Sequence, residues 1–278
     1  TYLVGRFAAE MMRNLAFAAG LILGALVCPA TVMADGDTPY MATVAIERAA
    51  GSTGALGESV VSTLHVDDPE QAAASLSQID GLRVTATDDN TVSILSSARP
   101  TLSGAPADRH RDSSWVLDFD QASIQQLLEQ IQAAGDAPPS PAELERFVFG
   151  HIANKTYSRS FDLASRVAAT GEGDCTEHAV LLAALARAHG YPARMVLGNV
   201  VLELDDDLLA FGHAWTEIYT DDSWQLYDAT MPDNDAALRQ VRYIPAGDLH
   251  DEGPGYFMAL VERMMTMPKR ISAVQSPP

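Results

Sequence analysis

Cysteine is almost missing from this chain: Cys28 and Cys175 are the only two in 278 residues. A scaffold stapled by several disulfides is therefore excluded. Basic residues are also scarce, 18 against 37 acidic ones for a formal net charge of -19, and they form no cluster. That balance argues against nucleic acid or an anionic membrane surface as the main partner. No glycine-rich phosphate loop of the P-loop or dinucleotide type is present, so nucleotide chemistry finds no support and no cofactor is expected. The longest leading apolar run, Leu15 to Val27, falls short of the roughly 20 residues a membrane-spanning helix needs. The acidic triplet Asp205-Asp206-Asp207 lacks the twelve-position loop with central Gly and terminal Glu that calcium takes. What remains is 47% hydrophobic and only 20% charged, enough to bury a substantial core.

The N-terminus reads as export machinery. Arg13 precedes the apolar run, and Val32-Met33-Ala34 supplies a small-residue cleavage pattern, so residues 1–34 are expected to be a signal peptide. Met11 or Met12 would start a conventional signal, which makes residues 1–10 an upstream over-extension. Val27 stands where a lipidation box expects a small residue before Cys28. Cleavage after Ala34 removes Cys28 and leaves Cys175 as the single thiol. No internal disulfide is then available, and a lone cysteine in an oxidising compartment marks a reactive thiol or a small buried hydrophobe. The expected location is periplasmic or extracellular, with no stable membrane insertion after cleavage.

Residues 35–114 read as a small N-terminal α/β region and linker, and 115–278 as a catalytic domain with a C-terminal extension. Within the first, Met41 to Ile46 belongs to a flexible lead or a poorly specified first helix. Ser59 to Val66 alternates as a strand, Pro69 to Gln78 is a short helix, and Leu82 to Ala86 with Val92 to Leu95 flank the turn Asp88-Asp89-Asn90. Ser96 to Ser114, with Pro100 and Pro106, is a linker candidate in which His110 is exposed. Trp115 to Phe119 is extended. Ile124, Leu127, Leu128 and Ile131 form one helical face, and Leu144, Phe147, Val148 and Ile152 a second that starts at Pro141. His151 packs against Phe147. Further helices are expected over 236–241 and 255–265.

One stretch organises the rest. Asp174 and Glu177 have capping-box spacing, so a helix begins there with Cys175 in its first turn, followed by the apolar run Ala179 to Ala188 and a stop at Gly190 and Pro192. Unpaired N–H groups and the positive end of the dipole favour a thiolate at that position. Phe211 to Tyr219 and Ser223 to Asp228 read as two strands turning at Asp221-Asp222, a hairpin that puts His213, Trp215 and Asp228 on one face. A carboxylate diagonal to an imidazole can orient it. Nucleophile, base, orienting acid and a helix-start N–H donor are the parts that thiol chemistry on an amide requires. Tyr157 is a candidate for the border of the site. Zinc held by Cys175, His178, His213 and Asp228 is the weaker alternative: a structural site usually shows tighter local pairs and a catalytic one two closely spaced ligands on one element, although His178, three residues from Cys175, could approach the same helix face. His178 is read instead as a packing or supporting residue; His189 and His250 have no comparable partners.

The blocks Gly171-Glu-Gly-Asp-Cys175-Thr-Glu-His-Ala179, Leu181 to Arg187, Gly190-Tyr-Pro-Ala-Arg194, His213-Ala-Trp215-Thr-Glu217 and Trp224 to Thr230 resemble, in chain order, the transglutaminase-like superfamily of papain-like thiol enzymes. The resemblance covers roughly Pro141 to Pro232. It implies an α+β fold with the nucleophile helix packed on an antiparallel sheet, and it matches Cys175, His213 and Asp228 to the family's nucleophile, histidine and acid. Trp215, Glu217 and Arg194 look like support, as do Asp174 and Glu177. The activity so implied is hydrolysis of an amide or peptide bond through an acyl-enzyme, with a protein or peptide as substrate. Acyl transfer to an amine, which crosslinks proteins, and a noncatalytic envelope binding module are the alternatives.

Overall fold

The computed structural model describes residues 43–133, 137–156, 161–204, 207–231, 241–249, 253, 255, 258 and 267–277. The expected signal peptide, Tyr157, Asp205, Asp206, His250 and nearly all of the two expected C-terminal helices lie outside those residues.

A nine-stranded sheet is the frame. Its strands are β1 (Thr43–Arg48), β2 (Ser59–His65), β3 (Ile79–Asp88), β4 (Thr91–Leu102), β7 (Ala193–Leu204), β8 (Asp207–Thr220), β9 (Ser223–Tyr227), β10 (Val241–Asp248) and β11 (Arg270–Gln275), in the order β10-β7-β8-β1-β11-β2-β4-β3 with β9 paired to β8. All pairs are antiparallel except β1 with β11. Two further strands, β5 (Asn154–Lys155) and β6 (Glu172–Gly173), make a short parallel ladder. Five α-helices are present among the described residues: α1 (Pro69–Leu76), α2 (Ala122–Ala133), α3 (Pro141–His151), α4 (Ala164–Thr170) and α5 (Cys175–Ala188). None is long and apolar enough to cross a membrane. The architecture is α+β.

Local chemistry sets these boundaries. Asp68 caps α1 by accepting from the Gln71 N–H, and Ser140 with Glu143 closes a capping box on α3 ahead of Pro141. Gly171 ends α4 in the left-handed conformation, φ 62°. Asp221 and Asp222, at φ 51° and 59°, form the two-residue turn that matches the right-handed twist of a hairpin. Its pairs, Thr220 with Ser223 and Tyr219 with Trp224, are those expected from the sequence.

Two apolar clusters form. One lies between α2, α3, α4 and α5 and the strands β7 and β8, and includes Ile124, Leu144, Val148, Leu181, Leu185, Met195 and Ile218. The other joins α1 to β2, β3, β4, β10 and β11 through Leu64, Leu76, Ile79, Ile94, Ile244 and Ile271. α5 is buried along nearly its full length, Cys175 to Arg187, as an all-apolar helix must be.

Several expectations are corrected. Met41 to Ile46 is neither lead nor helix where described: Thr43–Arg48 is strand β1, held by β8 on one side and β11 on the other. The linker candidate Ser96 to Ser114 begins inside β4, because Ser96, Thr101 and Leu102 all pair with β3. Residues 97–100 bulge between those pairs, and the bulge accommodates Pro100, which has no N–H to give. His110 is buried, not exposed: its Nδ1 accepts from the Ala107 N–H at 3.0 Å, and its ring stands edge-on to Trp224. Trp115 to Phe119 forms no strand, although Val116 and Leu117 are fully buried.

Arg194 and Glu217 tie the layers together. They are cross-strand partners on β7 and β8, with Arg194 Nη2 2.7 Å from Glu217 Oε2. The guanidinium lies 3.7 Å from the centre of the Trp224 ring and donates to the Leu102 carbonyl, while the Leu102 N–H donates to Glu217. The end of β4 is thereby pinned to the β7–β8–β9 layer. Glu217→Ala leaves a buried guanidinium without its carboxylate and is expected to cost about 3–5 kcal/mol, read as a lower denaturant midpoint. A loss under about 1 kcal/mol would show the pair to be dispensable.

Candidate active site

The start of α5 is a polar knot inside an apolar region. Asp174 is the N-cap and accepts from the Thr176 N–H at 2.8 Å, while Glu177 Oε2 accepts from the Asp174 N–H at 3.0 Å. Glu177 Oε1 also takes the Asp162 N–H and the Thr176 hydroxyl. Gly173, at φ 153°, leaves room for this: a Cβ there would collide with the Glu177 side chain. His178 Nδ1 contacts the Asp174 carbonyl at 2.5 Å and its Nε2 meets Lys155 Nζ at 2.5 Å. An ammonium can only donate, so Nε2 accepts and Nδ1–H donates. Burial, with Lys155 opposing charge, holds His178 down at about 3, in its neutral form.

β8 supplies the imidazole. His213 lies opposite Gly198 of β7, where a Cβ would strike the Ile244 carbonyl and the Trp215 ring. The glycine thus lets β10 and Trp215 close on the site. His213 Nε2 is 2.7 Å from Asp228 Oδ2. Asp228 follows β9 directly, so the hairpin turn sets this approach. Its carboxylate is held further: Tyr243 OH donates to Oδ2 at 2.9 Å, and the Thr230 N–H and hydroxyl donate to Oδ1. Trp215 stacks on His213 with ring centres 6.3 Å apart and meets Tyr243 edge-on. Thr216 Oγ1 donates to the Ala179 carbonyl at 3.0 Å, which ties α5 to β8.

Cys175 completes the group. His213 Nδ1 has no hydrogen-bond partner of its own, and the Cys175 thiol and this imidazole each influence the other's charge. Cys175, His213 and Asp228 are 5%, 3% and 1% exposed, so charges here act with little screening. Burial works against the charge on His213, yet Asp228 first and Cys175 second carry it up to about 10. Asp228 is likewise opposed by burial and pulled down to about 2 by His213, Thr230 and Tyr243. Burial pushes the Cys175 thiol up, against His213 and the Ala214 N–H, which lower it. The helix start alone therefore does not set the thiol, as its position in the sequence suggests; the imidazolium is the main opposing influence.

The structure brings Cys175, His213 and Asp228 together, with Asp174, Glu177 and His178 supporting the helix start and Trp215 lining the imidazole. Glu217 is elsewhere, in the Arg194 pair. His178 has both ring nitrogens engaged, which removes it from the zinc set of Cys175, His178, His213 and Asp228. Among the described residues no group of three or more His, Cys, Asp or Glu is arranged to hold a metal. Tyr243 and Thr230 were not legible as site residues. Thr230 is two positions from Asp228 and could have been read as a local cap, whereas Tyr243 arrives from a distant strand that carries no local signal.

A thiol at the head of a buried helix, paired with a His–Asp couple on an antiparallel hairpin, defines a cysteine-enzyme layout on an α+β scaffold. Residues 125–229 match the family model of the transglutaminase-like superfamily. No curated protein matches the chain. Among solved structures it is similar to a protein from Cytophaga hutchinsonii described as a candidate cysteine protease, at 14% identity over 70% of this chain and 78% of that one, TM-score 0.42. It is also similar to the periplasmic domain of TgpA from Pseudomonas aeruginosa bound to ethylmercury, at 18% identity over 78% and 90%, TM-score 0.42. A third, a TGase, shares 14% identity over 60% of this chain and 48% of that one, TM-score 0.29. At these values no chemistry is carried over from the three structures.

The His213–Asp228 couple has a pH signature. His213 is raised from 6.5 to about 10, so its contribution to stability is full below 6.5 and lost as pH rises through 10. Asp228 is lowered from 3.8 to about 2, so its contribution is full above 3.8 and lost as pH falls through 2. The difference in Tm between the native chain and Asp228→Asn is expected to be greatest between these, from about pH 4 to 6.5, and to shrink on either side. A difference that stays the same as pH falls toward 2 and rises toward 10 would mean that the couple is not ionised as a pair.

Proposed function

We propose that this chain is an exported thiol enzyme that cleaves an amide or peptide bond of a protein or peptide substrate through an acyl-thioester on Cys175. The observation that carries this reading is the buried 2.7 Å contact of His213 Nε2 with Asp228 Oδ2, which leaves Nδ1 to the thiol. The family match supports a cysteine enzyme in general. Export rests on the leader pattern of Arg13, Leu15 to Val27 and Val32-Met33-Ala34.

In this scheme Cys175 Sγ, its proton held on His213, attacks the substrate carbonyl carbon and forms the C–S bond. The imidazolium gives its proton to the leaving nitrogen as the C–N bond breaks. Water then attacks the thioester, His213 takes its proton, and the carboxylate leaves as the thiol is regenerated. Asp228 remains ionised and stabilises the imidazolium. The N–H of Cys175, at the head of α5, is the candidate donor to the developing oxyanion.

Two measurements test the scheme. Removing the imidazolium raises the thiol further, so His213→Ala is expected to slow iodoacetamide labelling of Cys175 at pH 7 by about tenfold or more. Equal rates would count against the pair. Intact-mass analysis during turnover of a peptide mixture is expected to show an acyl adduct that Cys175→Ala lacks, with products carrying free carboxylates. Products that incorporate an added primary amine would move the reaction to acyl transfer, and the absence of adduct and product alike would favour a noncatalytic binding module.

A further inference from the structure

The acid of the site has its carboxylate held from three sides, but its backbone lies beyond the sheet. The last ladder pair of β9 is Thr216 with Tyr227, so β8 gives Asp228 no backbone partner. In a two-residue hairpin whose first pair is Thr220 with Ser223, the backbone groups of alternate residues face away from the partner strand. On β9 these are Trp224 and Leu226, and Asp228 continues the outward series. Two side chains meet this edge. Arg99 Nη2 donates to the Leu226 carbonyl at 2.5 Å, and the Asp228 N–H donates to Glu145 Oε1 at 2.6 Å.

Glu145 projects from α3 and is 5% exposed. A buried carboxylate on an apolar helical face is costly unless it accepts hydrogen bonds. α3 is also fixed independently of the site, by the Ser140–Glu143 box at its start and by Leu144 and Val148 in the core. The carboxylate is therefore a rigid acceptor delivered to a backbone group that the ladder leaves without support.

We propose that Glu145 is a positioning residue, which sets the place of the Asp228 carboxylate against His213 by taking the Asp228 backbone N–H. This rests on the His213–Asp228 couple of the proposed function, but not on turnover. The groups facing the couple are Cys175 from α5, Tyr243 from β10, Thr230, and Glu145 itself; His178 feels the charges of Asp228 and His213 but is held neutral and adds none of its own.

The test separates hydrogen bond from charge. Glu145→Gln keeps an acceptor oxygen at the same reach and loses the charge, whereas Glu145→Asp keeps the charge and withdraws the acceptor by one methylene. The titration of His213 is followed by NMR in each, with iodoacetamide labelling of Cys175 at pH 7 alongside. If Glu145 positions Asp228, the Asp variant lowers the His213 titration midpoint by at least one pH unit and slows labelling by about tenfold, and the Gln variant stays close to the native chain. A role in folding alone would lower Tm and leave the His213 midpoint in place, which would overturn the proposal. So would impairment of Gln with retention in Asp, or equal behaviour of the two. If native labelling proves independent of His213, the enzyme reading fails while the His213 midpoint still decides the role of Glu145.

Discussion

α5 is buried on nearly every side, and that single constraint dictates the polar architecture at its head. A helix start carries unpaired N–H groups, and here water is not at hand to satisfy them. Asp174 and Glu177 do so from within the chain, and the neutral His178 ties the Asp174 carbonyl to Lys155. The same enclosure that demands this knot strips solvent from Cys175. Burial then opposes the thiolate, and the imidazolium of His213 becomes the main influence that lowers the thiol against it.

The couple on the far side follows from strand geometry. A turn of two aspartates at positive φ fixes the hairpin register, and the register brings Asp228 to His213. Gly198, opposite the histidine, admits Trp215 and β10 at close range, and β10 carries Tyr243 to the acid. Each member of the site thus comes from a different kind of local rule: a cap, an alternation, a turn.

Those rules explain what could be read in the sequence. The capping box at Asp174 and Glu177, the apolar run after Cys175 and the period-two pattern around His213 are all local signals, and the three central residues were named from them. The first strand is not legible in the sequence because Thr43–Arg48 draws its stability from partners more than 150 residues away, with little in its own composition to mark it. His110 reads as exposed because a mixed-charge loop reads as solvated; in the fold the histidine is buried with its ring edge-on to Trp224. Pro100 suggested a linker, since a proline in a central strand is improbable without the bulge that the structure supplies. Tyr243 and Glu145 meet Asp228 through tertiary contact alone.

β11 lies between β1 and β2, parallel to the one and antiparallel to the other. β1 reaches β8 through only two residue pairs, so within the ladder the half of the sheet that carries the candidate site and the half built from β2, β3 and β4 are joined through a strand that follows both in the chain. Until Arg270–Gln275 is threaded in, the chain holds two incomplete sheets with open edges facing each other. The site hairpin can form before that strand is added, but the body that supports it is sealed only when Arg270–Gln275 is in place.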